Sequence, residues 1–152
     1  MSSGWRIVPE GRATDAFSGE GAKRYGGRWN SPGVAVAYAS QHKSLAALEQ
    51  LVHYAPGIPN RFKCFFLEFD DSLLEVWPLT KLPADWRTEP PPPSTMSIGD
   101  AWVREARSVV LAVPSIIIPD ETNYLLNPAH SDFKRIRIGK PTNFDFDPRL
   151  VR

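Results

Sequence analysis

Prolines favour short regular elements in this chain, because 15 of them are spread over 152 residues. The proline ring fixes φ and removes a backbone N–H, so proline interrupts helices and the interior of sheets. We therefore expect short helices and strands joined by shaped loops, within one domain of this length. Strand-like segments outnumber helical ones and are irregularly spaced, which favours an α+β fold over a doubly wound sheet.

The apolar pattern predicts a compact single domain with a central mixed or antiparallel sheet flanked by short helices. Predicted strands cover 5–8, 34–39, 62–69, 73–77, 109–113 and 135–138, and helices cover about 44–54, capped by Ser44, and a segment beginning near 97. Residues 62–69 are apolar on both faces, as in a central strand. Residues 10–33 show no period and are predicted to form a long loop, while 125–128 is predicted to turn. The core is expected to span about 5–138 of the 1–152 domain, followed by an irregular aromatic and acidic tail.

Composition excludes several classes of protein. The net charge of +1 comes without a basic stripe, so direct nucleic-acid binding is not expected. The single cysteine, Cys64, excludes an internal disulfide framework, and three scattered histidines lack metal-ligand spacing, so no metal is expected. No apolar run approaches the length that crosses a membrane, and the first residues do not resemble a signal peptide. The sequence therefore predicts a cytoplasmic protein without a membrane segment.

Residues 24–33 concentrate more ligand-binding chemistry than any other part of the chain. They read Arg-Tyr-Gly-Gly-Arg-Trp-Asn-Ser-Pro-Gly, just before an apolar segment. Glycine allows close approach of the backbone, and the arginine fork suits phosphate. The preceding Gly19-Glu20-Gly21 lacks the third glycine of a dinucleotide fingerprint, so a Rossmann mode is excluded. Arg28 is the best phosphate candidate, with a surface salt bridge as the alternative, and Trp29 and Asn30 are expected to shape the loop.

Three further side chains are candidates for a site. Glu49 lies at the margin of a helical apolar stripe, where it could face a cleft and stabilise developing positive charge, or simply be solvated. Tyr38 ends a strand and could stack on a ring or pack in the ordinary way. Ser115 follows a strand without a nucleophile elbow, so it is either a hydrogen-bond donor to a ligand or a turn serine.

Five motifs occur in order between residues 5 and 138. They are Trp-Arg-Ile, Gly-Gly-Arg-Trp-Asn with Ala-Tyr-Ala-Ser, Leu-Ala-Ala-Leu-Glu, Val-Pro-Ser-Ile-Ile-Ile-Pro, and Asn-Tyr-Leu-Leu-Asn-Pro-Ala-His. This ordered set resembles the RES-domain toxins of bacterial type II toxin–antitoxin systems. The family is named after an Arg, a Glu and a Ser, and the matching positions are Arg28, Glu49 and Ser115.

The resemblance implies a fold related to ADP-ribosyltransferases and a toxin that arrests growth by acting on NAD⁺. Such a toxin cleaves the nicotinamide–ribose bond by hydrolysis or phosphorolysis, or transfers ADP-ribose to a cellular protein. NAD⁺ is the substrate, and no further cofactor is implied. The implied partner is an Xre-type helix-turn-helix antitoxin, in complexes that can contain a toxin homodimer.

The resemblance also implies roles for individual residues. Arg28 and Arg6 would hold the pyrophosphate, and Tyr38 would stack on or orient the nicotinamide end. Glu49 would stabilise the oxocarbenium ion or bind the ribose hydroxyls, and Ser115 would hydrogen-bond the substrate. Competing candidates for the second phosphate-binding arginine are Arg12 and Arg24.

Other functions remain open from the sequence. Many ADP-ribosyltransferases carry Glu or Gln two residues before the catalytic Glu, and here that residue is Ala47, which favours water or phosphate as the acceptor. A non-catalytic interaction module would use the Pro-rich loop at 90–93 and the aromatic tail. A ribonuclease using His42, His53 and His130 is disfavoured by the near-neutral charge.

Overall fold

One eight-stranded mixed sheet organises residues 1–151, the part of the chain that the computed structural model describes. The strands are β1 (Ser2–Pro9), β2 (Ala37–Ser40), β3 (Phe62–Phe69), β4 (Leu74–Val76), β5 (Val110–Pro114), β6 (Thr122–Leu126), β7 (Arg137–Ile138) and β8 (Thr142–Phe144). Their order is β4-β5-β6-β2-β1-β3-β7, and β8 also pairs with β3. Only the β4–β5 pairing is parallel among these strands. The predicted α+β fold with a mixed sheet is confirmed.

Three short α-helices accompany the sheet within residues 1–151: α1 (Glu20–Tyr25), α2 (Lys43–Tyr54) and α3 (Pro93–Glu105). Helix α2 contacts β1 and β2, with Leu45 fully buried and Ala46 in one cluster with Ile7 of β1. It ends before Pro56, which cannot continue a helix. None of these helices is long and apolar enough to cross a membrane.

The two faces of the sheet bury different sets of side chains. Directly opposed residues of neighbouring antiparallel strands share a face, so the register assigns each side chain. One face packs a cluster that includes Ala37, Ala39, Leu67, Phe69, Tyr124 and Leu126, and a smaller cluster of Val8, Ala16 and Phe65. The other face carries two clusters, one under α3 with Trp29, Trp102, Leu111 and Leu125, and one under α2 with Ile7, Ala46, Phe62 and Cys64. Ser40 and Asn123 are opposed in register on this second face, between the two clusters.

Several predicted boundaries are wrong for identifiable reasons. Residues 10–33 are not one loop, because they contain a 3₁₀ turn at Glu10–Asp15 and helix α1. Both elements are short and contain no buried residue, so they leave no apolar period in the sequence. Ser44 does not cap α2, which already begins at Lys43. Helix α3 begins at Pro93 rather than near 97, since proline is tolerated in the first turn.

The C-terminal part of the chain also differs from its prediction. Residues 125–128 were predicted to turn, but the first two of them complete β6, whose last three residues are buried. The tail is not wholly irregular, because β8 pairs with β3 and carries Phe144 onto the ring of Phe62. Phe146 meets the same ring with a centroid separation of 5.3 Å. The sheet and its aromatic packing therefore both extend past residue 138.

Strands β1 and β2 separate after a single pairing position. Trp5 pairs with Ser40, whereas β1 pairs with β3 over all of its residues. The next residue, Arg6, spans the opening: Nη1 donates to the Tyr38 carbonyl at 2.6 Å and Nε donates to the Ala16 carbonyl at 2.6 Å. The sheet therefore opens beside a half-buried cation.

Candidate active site

Glu49 projects from α2 towards the polar gap between the two clusters. Its Oε1 accepts hydrogen bonds from the Ser115 hydroxyl at 2.9 Å and from the Asn123 amide at 2.7 Å. The side chain is half-buried, while Oε2 accepts no hydrogen bond from residues 1–151 and stays accessible to solvent. Two neutral donors thus hold one oxygen of the carboxylate and leave the other available to a ligand.

Ser115 is fully buried directly after β5, behind the carboxylate of Glu49. Its hydroxyl donates to Glu49 and accepts from the backbone N–H groups of Ile117 at 3.0 Å and Ile118 at 3.2 Å. A hydroxyl has one donor and two acceptor positions, so these contacts use all of them. The geometry therefore makes Ser115 a support of Glu49, and a direct hydrogen bond to substrate stays a prediction.

Tyr38 and Asn30 fasten the Gly-rich loop to β2. The Tyr38 hydroxyl donates to Asn30 Oδ1 at 2.5 Å and accepts from the Trp29 N–H at 3.2 Å. Burial raises the pKa of Tyr38, so the hydroxyl keeps its proton. A Cβ on Gly27 would lie 2.7 Å from this hydroxyl oxygen, which explains why glycine is needed there. Only the ring of Tyr38 remains for a ligand.

Asn30 has no exposed surface, and its amide donates to the carbonyls of Ala22, Ser31 and Val34. Trp29 is 3% exposed and packs in the cluster under α3. The prediction that Trp29 and Asn30 shape the loop is confirmed.

Helix α3 clamps the same loop from the other side. The Thr95 hydroxyl donates to the Arg28 carbonyl at 2.6 Å. The Asp100 carboxylate accepts from the Ser31 N–H at 2.9 Å and from the Ser31 hydroxyl at 2.6 Å. A Cβ on Gly99 would overlap the Trp29 carbonyl, so the helix lies directly on the loop backbone. The backbone that carries Arg28 is therefore rigidly placed.

The Arg28 side chain turns under the segment that precedes the proline run. Its Nη1 donates to the carbonyls of Trp86 at 3.1 Å and Thr88 at 2.7 Å, and its Nη2 forms an ion pair with Glu89. Only 9% of the side chain is exposed. Burial lowers the pKa of Arg28, and the negative charge of Glu49 acts in the opposite direction. Arg28 thus lies within the field of Glu49, with a carboxylate already on its guanidinium.

Of the other candidate arginines, Arg6 is the one held beside Tyr38. Burial lowers the pKa of Arg6 to about 10. Its Nη2 has no partner within residues 1–151, so part of the fork remains available. Arg12 and Arg24 are both exposed at the ends of short helical turns.

The model of the RES domain family matches residues 4–147. The chain belongs to the RES-domain family. It is 41% identical over 157 residues to the Prs ADP-ribosylating toxin of Sphingobium sp. strain YBL2, covering 99% of this chain and 98% of that protein. It is 40% identical over 148 residues to Toxin Res of Yersinia enterocolitica, covering 96% of this chain and 97% of that protein. The expected membership of this toxin family is confirmed.

Among solved structures, this RES-domain chain resembles a chain of the Mycobacterium tuberculosis MbcT–MbcA toxin–antitoxin complex. The TM-score is 0.75, the identity is 17%, and the match covers 95% of this chain and 84% of that chain. At this identity the likeness shows the fold, which agrees with the α+β prediction.

Sequence reasoning missed two polar residues of this RES-domain site, Ser40 and Asn123. The Ser40 hydroxyl donates to Asn123 Oδ1 at 2.7 Å, and the Asn123 amide donates to Glu49. A signal was present, because Ser40 ends the Ala-Tyr-Ala-Ser motif and Asn123 begins Asn-Tyr-Leu-Leu-Asn-Pro-Ala-His. Both residues are thus small polar side chains at motif ends, and the structure brings them to Glu49.

The three histidines do not assemble around Glu49. His42 precedes α2 and His53 lies in its last turn, and both are exposed. His130 bonds the Ala106 carbonyl through Nε2 at 3.1 Å and accepts from the Asp132 N–H through Nδ1 at 3.0 Å. Within residues 1–151, no group of three His, Cys, Asp or Glu side chains is placed to hold a metal ion.

Proposed function

We propose that this RES-domain toxin cleaves the nicotinamide–ribose bond of NAD⁺. The observation that carries the proposal is the Glu49 carboxylate, held through one oxygen by neutral donors and open at the other. The charge of this carboxylate acts on Arg28, and Tyr38 lies on the same face of β2 as Ser40, the partner of Asn123. A carboxylate placed in this way is suited to a reaction that develops positive charge next to it.

The chemistry of the bond matches that arrangement. When the bond between ribose C1′ and the pyridinium nitrogen breaks, nicotinamide leaves as a neutral molecule with the bonding electron pair. Positive charge then develops on C1′ and O4′ of the ribose, so the leaving group needs no proton. Glu49 Oε2 would stabilise this oxocarbenium ion, as carboxylates do in glycoside cleavage. Addition of water gives ADP-ribose and a proton, and addition of phosphate gives ADP-ribose 1″-phosphate.

The pyrophosphate would be held by Arg28 and Arg6. The Arg28 guanidinium already pairs with the Glu89 carboxylate and donates to two carbonyl oxygens. Phosphate oxygens are acceptors of the same kind, so the side chain is placed to donate to a phosphate. Arg6 keeps part of its fork unpaired beside the Tyr38 carbonyl. Binding would exchange Glu89 for a phosphate oxygen and leave the rigid loop backbone in place.

Nicotinamide release from NAD⁺ by the purified toxin tests this proposal. Chromatography would separate ADP-ribose, formed in phosphate-free buffer, from ADP-ribose 1″-phosphate, formed in phosphate buffer. Absence of nicotinamide in both buffers and with a cell extract added would rule out cleavage of this bond.

Transfer of ADP-ribose to a protein is a second candidate, favoured by the relative named Prs ADP-ribosylating toxin, at 41% identity. Against it, Ala47 packs in the cluster under α2 and offers no polar group to position an acceptor. Mass spectrometry of lysate proteins, including the host Prs protein, would decide. An added ADP-ribose on one protein at nearly constant total NAD⁺ supports transfer, whereas falling NAD⁺ without an adduct supports hydrolysis or phosphorolysis.

We also propose an antitoxin partner, since the structural neighbour comes from a toxin–antitoxin complex. The partner would be an Xre-type helix-turn-helix protein in the cytoplasm, bound to a toxin homodimer. Co-expression with a helix-turn-helix protein encoded beside this chain should abolish growth arrest. Light scattering of the purified complex would give its stoichiometry.

A further inference from the structure

Ser40, Asn123 and Glu49 form a hydrogen-bonded chain on one face of the sheet. Ser40 and Asn123 are opposed on the neighbouring strands β2 and β6, so both side chains rise from the same face beneath α2. The Ser40 hydroxyl donates to Asn123 Oδ1 at 2.7 Å, and Asn123 Nδ2 donates to Glu49 Oε1 at 2.7 Å. All three side chains are at least half-buried.

The direction of these hydrogen bonds follows from the donors available. An ionised carboxylate only accepts, so the NH₂ end of Asn123 must face Glu49. The Oδ1 end then faces Ser40, whose hydroxyl can donate. The carboxylate therefore selects the amide orientation, and the Ser40 hydroxyl holds it by donating to Oδ1.

We propose that Asn123, held in place by Ser40, is a positioning residue that aims Glu49 Oε2 at the substrate. This inference rests on the proposed function of the same site. The terminal torsion of a glutamate is broad, so a carboxylate without partners would rotate. Donors from both Asn123 and Ser115 on Oε1 fix that torsion.

The choice of neutral donors has an electrostatic consequence. An arginine or lysine in the place of Asn123 would neutralise Glu49 and weaken its attraction for a developing cation. An amide holds the carboxylate while leaving its full charge, so it suits a group that stabilises positive charge. No salt bridge to Glu49 is present within residues 1–151.

Kinetics of Asn123→Ala, Asn123→Asp and Ser40→Ala test the proposal, with exposed Asn60→Ala as the matched control. Because a hydrogen bond to a charged group is lost, we expect Asn123→Ala to lower kcat about 10- to 100-fold. KM should change less than about 3-fold, as for an interaction made only in the transition state. Asn123→Asp should lower kcat further, since it places a second carboxylate against Glu49. Ser40→Ala should lower kcat less than Asn123→Ala does. In calorimetric titrations the variants should bind a carbocyclic NAD⁺ analogue with the wild-type stoichiometry. That result would show that the loss of kcat is not a loss of folded protein.

A double-mutant cycle with Glu49→Gln separates positioning from a general structural role. If Asn123 acts through Glu49, adding Asn123→Ala to Glu49→Gln lowers kcat no further. An independent, multiplicative effect in the double variant, or Asn123→Ala with wild-type kcat, would overturn the proposal.

Growth arrest on induction gives a second readout, which applies whichever reaction the toxin catalyses. If the wild type arrests growth but releases no nicotinamide, the proposed function fails, and the same set of variants is scored by toxicity. Asn123→Ala as toxic as the wild type then overturns the positioning role. Lost toxicity that is not additive with Glu49→Gln supports it.

Discussion

Replacement of Glu49 by glutamine removes one charge while keeping the contacts that hold the side chain. The glutamine carbonyl can take the place of Oε1 and accept from Ser115 and Asn123. Its NH₂ group then takes the position of Oε2, which is accessible to solvent, so no buried donor is left unpaired. The change therefore tests the charge of residue 49 in an otherwise similar site.

The expected loss of stability is small. Hydrogen bonds to a charged acceptor contribute about 1.5–3 kcal/mol, and neutral ones about 0.5–1.5 kcal/mol. Two weakened bonds would lower the free energy of unfolding by about 2 kcal/mol. For a domain of this length, that corresponds to a fall in Tm of about 4–8 °C. The variant should remain folded at 25 °C.

The expected loss of activity is much larger. Opposite unit charges about 4 Å apart attract by about 4 kcal/mol at an effective dielectric constant of about 20. Since about 1.4 kcal/mol corresponds to a factor of ten, kcat for nicotinamide release should fall about 10²- to 10³-fold. Exposed Glu20 on α1 supplies the control Glu20→Gln, which should keep wild-type kcat.

Nicotinamide release measured by chromatography, with circular dichroism on the same samples, compares the two variants directly. A folded Glu49→Gln protein with more than about a third of the wild-type kcat would refute the assigned role of the carboxylate. Loss of activity together with loss of the folded signal would instead refute the claim that glutamine preserves its contacts.

Further variants probe the supports of the site. Gly27→Ala places a methyl group 2.7 Å from the Tyr38 hydroxyl, so we expect about 1–3 kcal/mol lower unfolding free energy in urea, against little change for Gly11→Ala, where no atom lies within 4 Å. Ser115→Ala leaves the Ile117 and Ile118 N–H groups without their acceptor, and urea unfolding should show a loss of about 1–3 kcal/mol; an unchanged midpoint would contradict the supporting role. Arg28→Ala should abolish nicotinamide release and growth arrest, and should also increase proteolysis at 86–89, because the side chain holds that segment; retained activity would remove Arg28 from the site.

Local patterns predicted much of the sheet. The strand at 62–69 was predicted with its observed bounds, because a run that is apolar on both faces suits a central strand. Helix α2 was predicted to within one residue, since its apolar stripe has a 3.6-residue period and Pro56 follows it. Helix α1 was missed, because it buries no side chain and therefore has no such stripe.

The candidate site was only partly predictable. Arg28, Glu49 and Ser115 were identified through the motifs that match the family, and the structure brings Glu49 and Ser115 into contact. Neither the opposition of Ser40 to Asn123 nor the occupation of Arg28 by Glu89 has any local signature. Both depend on how distant segments meet.

The sequence by itself determined the α+β class, the most strongly patterned elements such as β3 and α2, and the RES-domain family, since periodicity and motifs are properties of neighbouring residues. The tertiary structure alone decided which groups converge on the carboxylate. Asn123 lies 74 positions and Ser115 lies 66 positions from Glu49 along the chain. The pairing of β5 with β6 places Ser115, and the register of β6 with its neighbours places Asn123 beneath α2. A slip of one residue in that register would turn Asn123 to the opposite side of the sheet.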